Sequence, residues 1–234
     1  MGVIILDILG FSKGSSEASS MLHYLRPSRT FECISKCHVI LRYFMCPDNF
    51  IMVLNCNTKD VLYKTPLGPL LMKACKKGIH CLNFMEENID ESYSLDFTCD
   101  VTWRFDEENW IQELVGKWLS TYFRSPKDVD FIDMSHCFCF SLPEDSFYKR
   151  VYLELYKGTK FGNIISYKEL ASVAGNKGAV RAVGTAMAKN PIPLIIPCHR
   201  VIRSDGSFGN YSSGKRNPIK KCLLKYEEKG LKDE

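Results

Sequence analysis

No stretch of this 234-residue chain approaches the roughly 20 consecutive apolar residues that a membrane-spanning helix needs, so the sequence offers no helical bilayer span. The beginning lacks a basic segment followed by an apolar one, and no secretory leader is expected. The opening Met1-Gly2-Val3-Ile4-Ile5-Leu6 also lacks the Ser or Thr that N-myristoylation requires at its sixth position. An even cysteine framework is missing too. The 11 cysteines are odd in number, which favours reduced thiols in a reducing compartment over a disulfide scaffold. Residues 1–51 have no sustained hydrophobic period and carry Gly14-Ser-Ser-Glu-Ala-Ser-Ser20, so a weakly structured extension is expected there. Within it Cys33, Cys37 and His38 read as incidental thiols and imidazole more readily than as metal ligands. Met52 is a candidate physiological start.

Charge is present but unevenly divided. The net charge is +4, yet from Phe147 onward 17 Lys and Arg stand against 7 Asp and Glu, while the preceding residues hold 14 against 20. A basic half suits a polyanion such as nucleic acid; on charge alone a merely solvated face is an equal reading. Within that half, Leu194-Ile-Ile-Pro-Cys-His-Arg-Val201 sets Cys198 between an apolar run and a His-Arg pair. A thiol with an ordinary pKa of about 8.5 is mostly protonated near neutrality, so a nucleophilic cysteine needs a base or cation beside it. Here His199 and Arg200 follow directly. Pro197 fixes its own φ and disfavours a helical Ile196, so residues 192–196 are expected to enter as a buried strand or extended segment, with the thiol at a rigid turn.

Local patterns supply the elements. Pro66-Leu-Gly-Pro69 between apolar runs is a hairpin signal, and His80-Cys-Leu-Asn-Phe84 is a further strand candidate. Ile111, Val115, Trp118, Leu119 and Tyr122 recur at helical spacing over 108–123, while the acidic stretch 86–108 reads as a solvated loop. Ser166-x-x-Glu169 is a capping box that starts a helix at Tyr167 and carries it to about Ala174. After Gly175-Asn-Lys-Gly178 a second helix over 179–188 completes a helix-turn-helix. Its Val180, Val183 and Met187 face inward; Arg181, Gly184, Thr185 and Ala188 face outward. That small outer face with one cation suits close approach to a groove, though packing against another helix would explain it as well. Asn217-Pro218 starts a last helix over 218–228, with Glu227 in its final turn, where the helix dipole disfavours a carboxylate.

Ile165-Ser166-Tyr167, Ala174-Gly175-Asn176, Arg181-Ala182-Val183-Gly184, Asn190-Pro191-Ile192-Pro193, the Cys198 segment and Gly209-Asn210-Tyr211-Ser212 stand in one order and spacing. In these motifs the chain resembles the O6-alkylguanine-DNA alkyltransferases, over roughly residues 58–230 and densely after Phe147. The resemblance implies an α/β N-terminal domain over 52–141, a small ribonuclease H-like sheet plus helix. A mainly α, winged-helix-like C-terminal domain with the helix-turn-helix would follow over 147–230. It implies a monomer acting on double-stranded DNA that contains O6-alkylguanine, with O4-alkylthymine as a second candidate lesion, and no diffusible cofactor. A eukaryote-like metal pattern and the basic surface imply nuclear residence, or cytoplasmic residence in a prokaryote.

Site roles also follow from the resemblance. Cys198 would accept the alkyl group irreversibly, His199 would act as general base through a water, Glu227 would orient the imidazole, and Tyr167 would hydrogen-bond N3 of the guanine. Arg181 would fill the space left by the extruded nucleotide, Asn190 would hold the turn before the thiol, and Tyr211 and Ser212 would wall the base pocket. Main-chain groups near Val201 and Ser212 would read the base edge, and Lys177, Lys189, Lys215 and Arg216 are phosphate candidates. By analogy with zinc-containing members, Cys56, Cys75, His80 and His136 would hold a structural zinc ion, with Cys137 or Cys139 as alternatives to His136. Between Tyr211 and Glu227 the chain is about two residues longer than usual and Ser213 replaces a common glycine, which leaves the pocket width open. The rival readings are a non-catalytic alkylated-DNA-binding protein and a thiol hydrolase that turns over.

Overall fold

In the computed structural model the described residues are 56–85, 90, 92–96, 100–103, 110–211, 214 and 216–232. The extension 1–51, with Cys33, Cys37 and His38, lies outside them, as do Met52, Ser212, Ser213 and Lys215. The Pro66–Pro69 turn folds β1 (Lys59–Lys64) back onto β2 (Leu70–Cys75), closed by the Gly68 N–H donating to Thr65 O at 2.8 Å. Along β1 Val61 and Tyr63 point into the core while Asp60, Leu62 and Lys64 face outward, the period of two that a half-buried strand requires. β3 (Gly78–Phe84) pairs with β2, and β4 (Thr102–Trp103) pairs with Tyr63 and Lys64, giving an antiparallel sheet of order β3-β2-β1-β4. β4 interrupts the acidic stretch whose composition predicts only loop. The rings of Trp103 and Tyr63 lie 5.9 Å apart, and such a cross-strand aromatic pair adds a few tenths of a kcal/mol or more, ~0.2–1, to an otherwise polar segment.

α1 (Trp110–Arg124) buries Ile111, Val115, Trp118, Leu119 and Tyr122, the stripe that its sequence spacing predicts. α2 (Phe147–Gly158) opens the helical half. α3 (Tyr167–Val173) begins at the expected capping box: Glu169 N–H donates to Ser166 Oγ at 3.1 Å and Ser166 N–H to Glu169 Oε2 at 2.8 Å. α4 (Val180–Ala188) buries Val183, Ala186 and Met187 and leaves Arg181, Thr185 and Ala188 exposed, so the pair is a helix-turn-helix with its small face outward. A short parallel pair, β5 (Ile165–Ser166) with β6 (Val201–Ile202), sits beside it.

Two further expectations differ from the structure. The last helix, α5, runs Asn217–Lys232, longer than 218–228, so Glu227 stands before the final turn and meets no dipole penalty. The run 192–196 is a tight turn, not a strand. Ile196 N–H donates back to Ile192 O at 2.9 Å, and Leu194, fully buried, takes φ 77°. A left-handed non-glycine residue costs about 1–3 kcal/mol, which the burial of its leucine side chain, worth roughly 1.5–3 kcal/mol, offsets.

The sheet and the helices share one continuous core, from Val61 and Tyr63 to Ile219 and Leu223. Two polar clasps tie them: Leu82 N–H donates to Pro191 O at 2.8 Å, and Arg216 donates to Phe84 O at 3.0 Å with its guanidinium 5.2 Å above the Phe84 ring. Among the described residues no helix is long and apolar enough to cross a membrane.

Candidate functional site

Cys198 opens a single 3-10 turn, Cys198–Arg200, straight after the Leu194 turn, and retains only 4% exposure. The Asn190 amide fixes both: its Nδ2 donates to Ile196 O at 2.8 Å and to Cys198 Sγ at 3.0 Å, and its Oδ1 accepts from Ile192 N–H at 3.0 Å. Burial pushes the Cys198 thiol up; the Asn190 amide, the Lys220 ammonium and the Tyr211 hydroxyl pull it down without cancelling that rise. The resting sulfur is therefore a protonated thiol, and a nearby base must take its proton before it can attack.

The candidate for that base is His199, the next residue in the chain, which is fully buried. Its Nε2 lies 2.8 Å from Glu227 Oε1, while Nδ1 has no hydrogen-bond partner among the described residues. Burial works to raise the Glu227 carboxyl, but His199 and Arg200 outweigh it and hold it down to about 2. Burial lowers His199, and Arg200 adds to that against the opposing pull of Glu227. Both directions give a neutral imidazole beside a carboxylate, with Nε2 as donor and the Nδ1 lone pair open to accept a proton. Arg200 does not face the thiol, although it follows it closely in sequence. Its Nε and a terminal nitrogen donate to Glu227 Oε2 and Oε1 at 2.8 and 3.0 Å, and its other nitrogen to Thr159 O at 2.7 Å. Tyr122 Oη donates to Glu227 Oε1 at 2.7 Å and Gly162 N–H to Oε2 at 3.2 Å.

The cation that does face the thiol is Lys220, which sequence reasoning missed. It is 1% exposed, donates to Val201 O at 2.6 Å and stands 5.9 Å from the Tyr167 ring centroid. Burial depresses its ammonium to about 8, partly restored by Cys198. A signal was available: Lys220 precedes Glu227 by seven residues, two turns up the same helical face. Tyr167 is the first residue of α3, and Gly209 packs against its hydroxyl so closely that a Cβ there would stand 3.1 Å from the oxygen. Tyr211 is 3% exposed, with its hydroxyl turned toward Cys198 but in no well-formed hydrogen bond. Val201 has its carbonyl on Lys220 and its N–H on Cys198 O, so its edge-reading capacity is reduced to the second lone pair. Ser212 lies outside the described residues.

On the outer surface Arg181 stands exposed in the first turn of α4, and Lys177 is exposed in the turn before it. A groove of about 770 Å³ runs between α3 and the segment after β6, lined among others by Lys168, Lys177, Arg203 and Ser204. The one acid on its wall, Glu169, is engaged in the capping box. Of the phosphate candidates Lys189 is exposed, whereas Arg216 is committed to Phe84 and joins the two halves instead.

A second cluster lies at the far end of β2 and β3. Donor atoms of Cys56, Cys75, His80 and Cys139 all fall within 4.8 Å of one another, and Cys75 Sγ is 3.8 Å from Cys139 Sγ. His80 is 2% exposed and neither ring nitrogen has a hydrogen-bond partner among the described residues, a cost of about 1–3 kcal/mol per unsatisfied group that a bound cation would remove. The residues present therefore fit a metal ion. His136 does not join them. The chain after it bridges in parallel from Ile79 to Phe138, with Cys139 N–H donating to Ile79 O at 2.9 Å, and this pairing delivers Cys139 to the cluster. Gly78 permits the approach, because a Cβ there would meet Cys137 O at 2.4 Å. His136 instead stacks on Trp110 at 5.8 Å, its side chain 58% exposed.

A buried cysteine next in sequence to an imidazole–carboxylate pair, on a chain that also carries a helix-turn-helix, places the protein in a class built around a single cysteine. The family model described as "6-O-methylguanine DNA methyltransferase, DNA binding domain" matches residues 146–229. The chain is 36% identical over 178 residues to the methylated-DNA–protein-cysteine methyltransferase of Cricetulus griseus, a match spanning 75% of this chain and 85% of that protein. To the Homo sapiens protein of the same name it is 34% identical over 173 residues, spanning 74% and 82%. A crystal structure of a Mycobacterium tuberculosis OGT in complex with DNA aligns with TM-score 0.49 and 27% identity, covering 72% of this chain and 93% of that one. The chain belongs to the methylated-DNA–protein-cysteine methyltransferase family.

Proposed function

We infer that the protein repairs double-stranded DNA by moving the alkyl group of an O6-alkylguanine onto the sulfur of Cys198, once per molecule. The observation that carries this reading is a buried thiol held at 3.0 Å by Asn190 and followed in the chain by a buried imidazole whose Nε2 is bound to Glu227. In the transfer the carbon–O6 bond breaks as the carbon–sulfur bond forms. The thiol proton passes to His199, relayed by one water, and the imidazolium is stabilised by Glu227. Tyr167 donates to N3 of the departing guanine, which then carries less negative charge. The resulting thioether is inert, so no step restores Cys198 and no diffusible cofactor takes part.

A thiol inside the protein cannot reach O6 within a base stack, so the nucleotide must leave the duplex. Extrusion costs a few kcal/mol, about that of unstacking and unpairing, and less at a damaged base. Arg181 on the small outer face of α4 fills the space left behind. Lys168, Lys177, Lys189 and Arg203 neutralise phosphates, which makes binding salt-dependent and largely independent of sequence. Asn190 holds the turn before the thiol, and Tyr211 and the Val201 carbonyl form a wall and an edge of the base pocket. In a eukaryotic cell this work places the protein, as a monomer, in the nucleus.

Zinc is the ion that suits the second cluster, and Cys56, Cys75, Cys139 and His80 would hold it. When bound it supplies a structural cross-link between the start of β1, the β2–β3 turn and the segment at 139. It is outside the transfer chemistry.

Intact-protein and peptide mass spectrometry after incubation with a duplex carrying one O6-methylguanine tests the reading. A stoichiometric, permanent gain of one methyl on Cys198 is expected. Binding of the lesion with Cys198 unmodified would establish a non-catalytic lesion binder instead, and repeated turnover of a small ester or amide would establish a hydrolase.

A further inference from the structure

The donor that completes the Glu227 carboxylate comes from the other half of the molecule. Tyr122 lies on α1, the helix that covers the sheet, and is separated by 105 residues from the glutamate whose Oε1 it reaches at 2.7 Å. Its ring is fully buried among aromatic neighbours. Trp118 stacks on it at 5.2 Å, Phe123 and Phe161 meet it edge-on at 4.9 and 5.7 Å, and Tyr226 both packs against it at 5.6 Å and donates to its carbonyl at 2.6 Å. Oε1 is thereby shared among Tyr122 Oη, His199 Nε2 and an Arg200 nitrogen.

We propose that Tyr122 is a positioning residue of the transfer site, which fixes the Glu227 carboxylate from the sheet half and competes with His199 for its Oε1. The role builds on the function inferred above, since it acts on the base of that reaction without touching substrate. A hydrogen bond from a neutral donor draws charge from the carboxylate, so the imidazolium partner is stabilised less than it would be by an unshared oxygen. Burial and the Glu227 charge push the Tyr122 phenol well above its ordinary value, so it is a donor to the carboxylate near neutral pH. The other groups that face His199 are Arg200 in its own turn and Lys220 and Glu227 on α5. Two neutral donors reach the carboxylate, Gly162 N–H on Oε2 and Tyr122 on Oε1, and Tyr122 is the one on the oxygen that His199 shares.

The experiment follows His199 itself. In the full chain, uniformly labelled at its five histidines, the His199 ring is identified by its loss in His199→Gln and titrated by NMR. In Tyr122→Phe the His199 midpoint should rise by about one unit, within the ordinary range of environmental shifts on histidine. The acid limb of single-turnover methyl transfer should rise with it, while affinity for the lesion duplex is unchanged. Difluorotyrosine at position 122 keeps the shape and the hydroxyl but donates more strongly, so the midpoint should fall. In a Glu227→Gln background the Tyr122→Phe shift should vanish. A His199 midpoint that is the same with tyrosine, phenylalanine and difluorotyrosine overturns the proposal, as does a shift that persists without the carboxylate. If the unaltered chain forms no adduct on Cys198, the transfer reading falls, while the NMR midpoints still decide the role of Tyr122.

Discussion

Asn190 Nδ2 donates simultaneously to Ile196 O and to Cys198 Sγ, at 2.8 and 3.0 Å, so one amide holds the left-handed turn at Leu194 and the nucleophile that follows it. Removing it in Asn190→Ala leaves a buried carbonyl without that donor and takes away the first of the groups that oppose burial at the thiol. Stability should fall by about 1–3 kcal/mol, read from urea unfolding, and methyl transfer should slow by roughly tenfold or more, since each unit of thiol pKa is about a factor of ten in thiolate. Wild-type transfer by Asn190→Ala would show that the sulfur needs no such support.

Glu227 and His199 should dominate the acid sensitivity of the fold. The Glu227 carboxyl is held down to about 2 against an ordinary 4.5, so its contribution is fully present above pH 4.5 and is lost as pH falls through 2. His199 is also depressed, from 6.5, which adds a contribution present above pH 6.5 and lost as the medium grows more acidic. Unfolding free energy should therefore decline gently below pH 6.5 and steeply below 4.5. Glu227→Gln should remove the steep portion and cost about 3–5 kcal/mol at neutral pH, because Arg200 is left buried without its counter-charge. Parallel curves for the two proteins from pH 7 to 3 would refute this assignment.

Lys220 makes the opposite end of the pH range informative. Its ammonium is depressed to about 8 against an ordinary 10.5, so folding is penalised below pH 8 and the penalty is relieved as pH rises from 8 to 10.5. Function runs the other way. Above about pH 8 the charge that supports the sulfur of Cys198 disappears, and transfer should lose that contribution. Lys220→Met should slow transfer by roughly tenfold at pH 7 and gain stability by relieving a buried charge. Loss of stability together with unchanged transfer would make Lys220 a scaffold residue alone.

What the chain reveals by itself divides along a physical line. The capping box at Ser166 and Glu169, the α1 stripe and the inward face of α4 are local patterns, and each is formed at or within a residue or two of where the spacing places it. Cys198, His199 and Glu227 were legible through motif and resemblance. Tyr122 and the true direction of Arg200 were not, because their partners lie 105 and 27 residues away, and Lys220 was legible only through its place two turns before Glu227 on one helical face, since the carbonyl it reaches lies 19 residues away. The Leu194 turn was misjudged for a related reason. Pro197 restricts Ile196, but the reversal two residues earlier is imposed by Asn190 across the loop.

The fourth ligand of the second cluster separates sequence spacing from geometry in one measurement. Spacing favours His136, while the parallel bridge at Ile79 and Phe138 delivers Cys139 and leaves His136 stacked on Trp110. Three thiolates and one imidazole should bind one zinc ion per chain, measurable by elemental mass spectrometry on the purified protein. Cys139→Ala and His80→Ala should each lose it; His136→Ala should retain it. Because the ligands are brought together only by folding, the metal's binding free energy appears as stability, and a chelator should lower Tm in the unaltered chain and in His136→Ala but not in Cys139→Ala. Cobalt substitution gives an independent reading, since thiolate-to-metal absorption should weaken on removal of Cys139 and stay unchanged on removal of His136. Zinc lost with His136 and kept without Cys139 would mean that the 135–139 segment turns over when the ion binds, exchanging the bridge at Ile79 for an imidazole ligand.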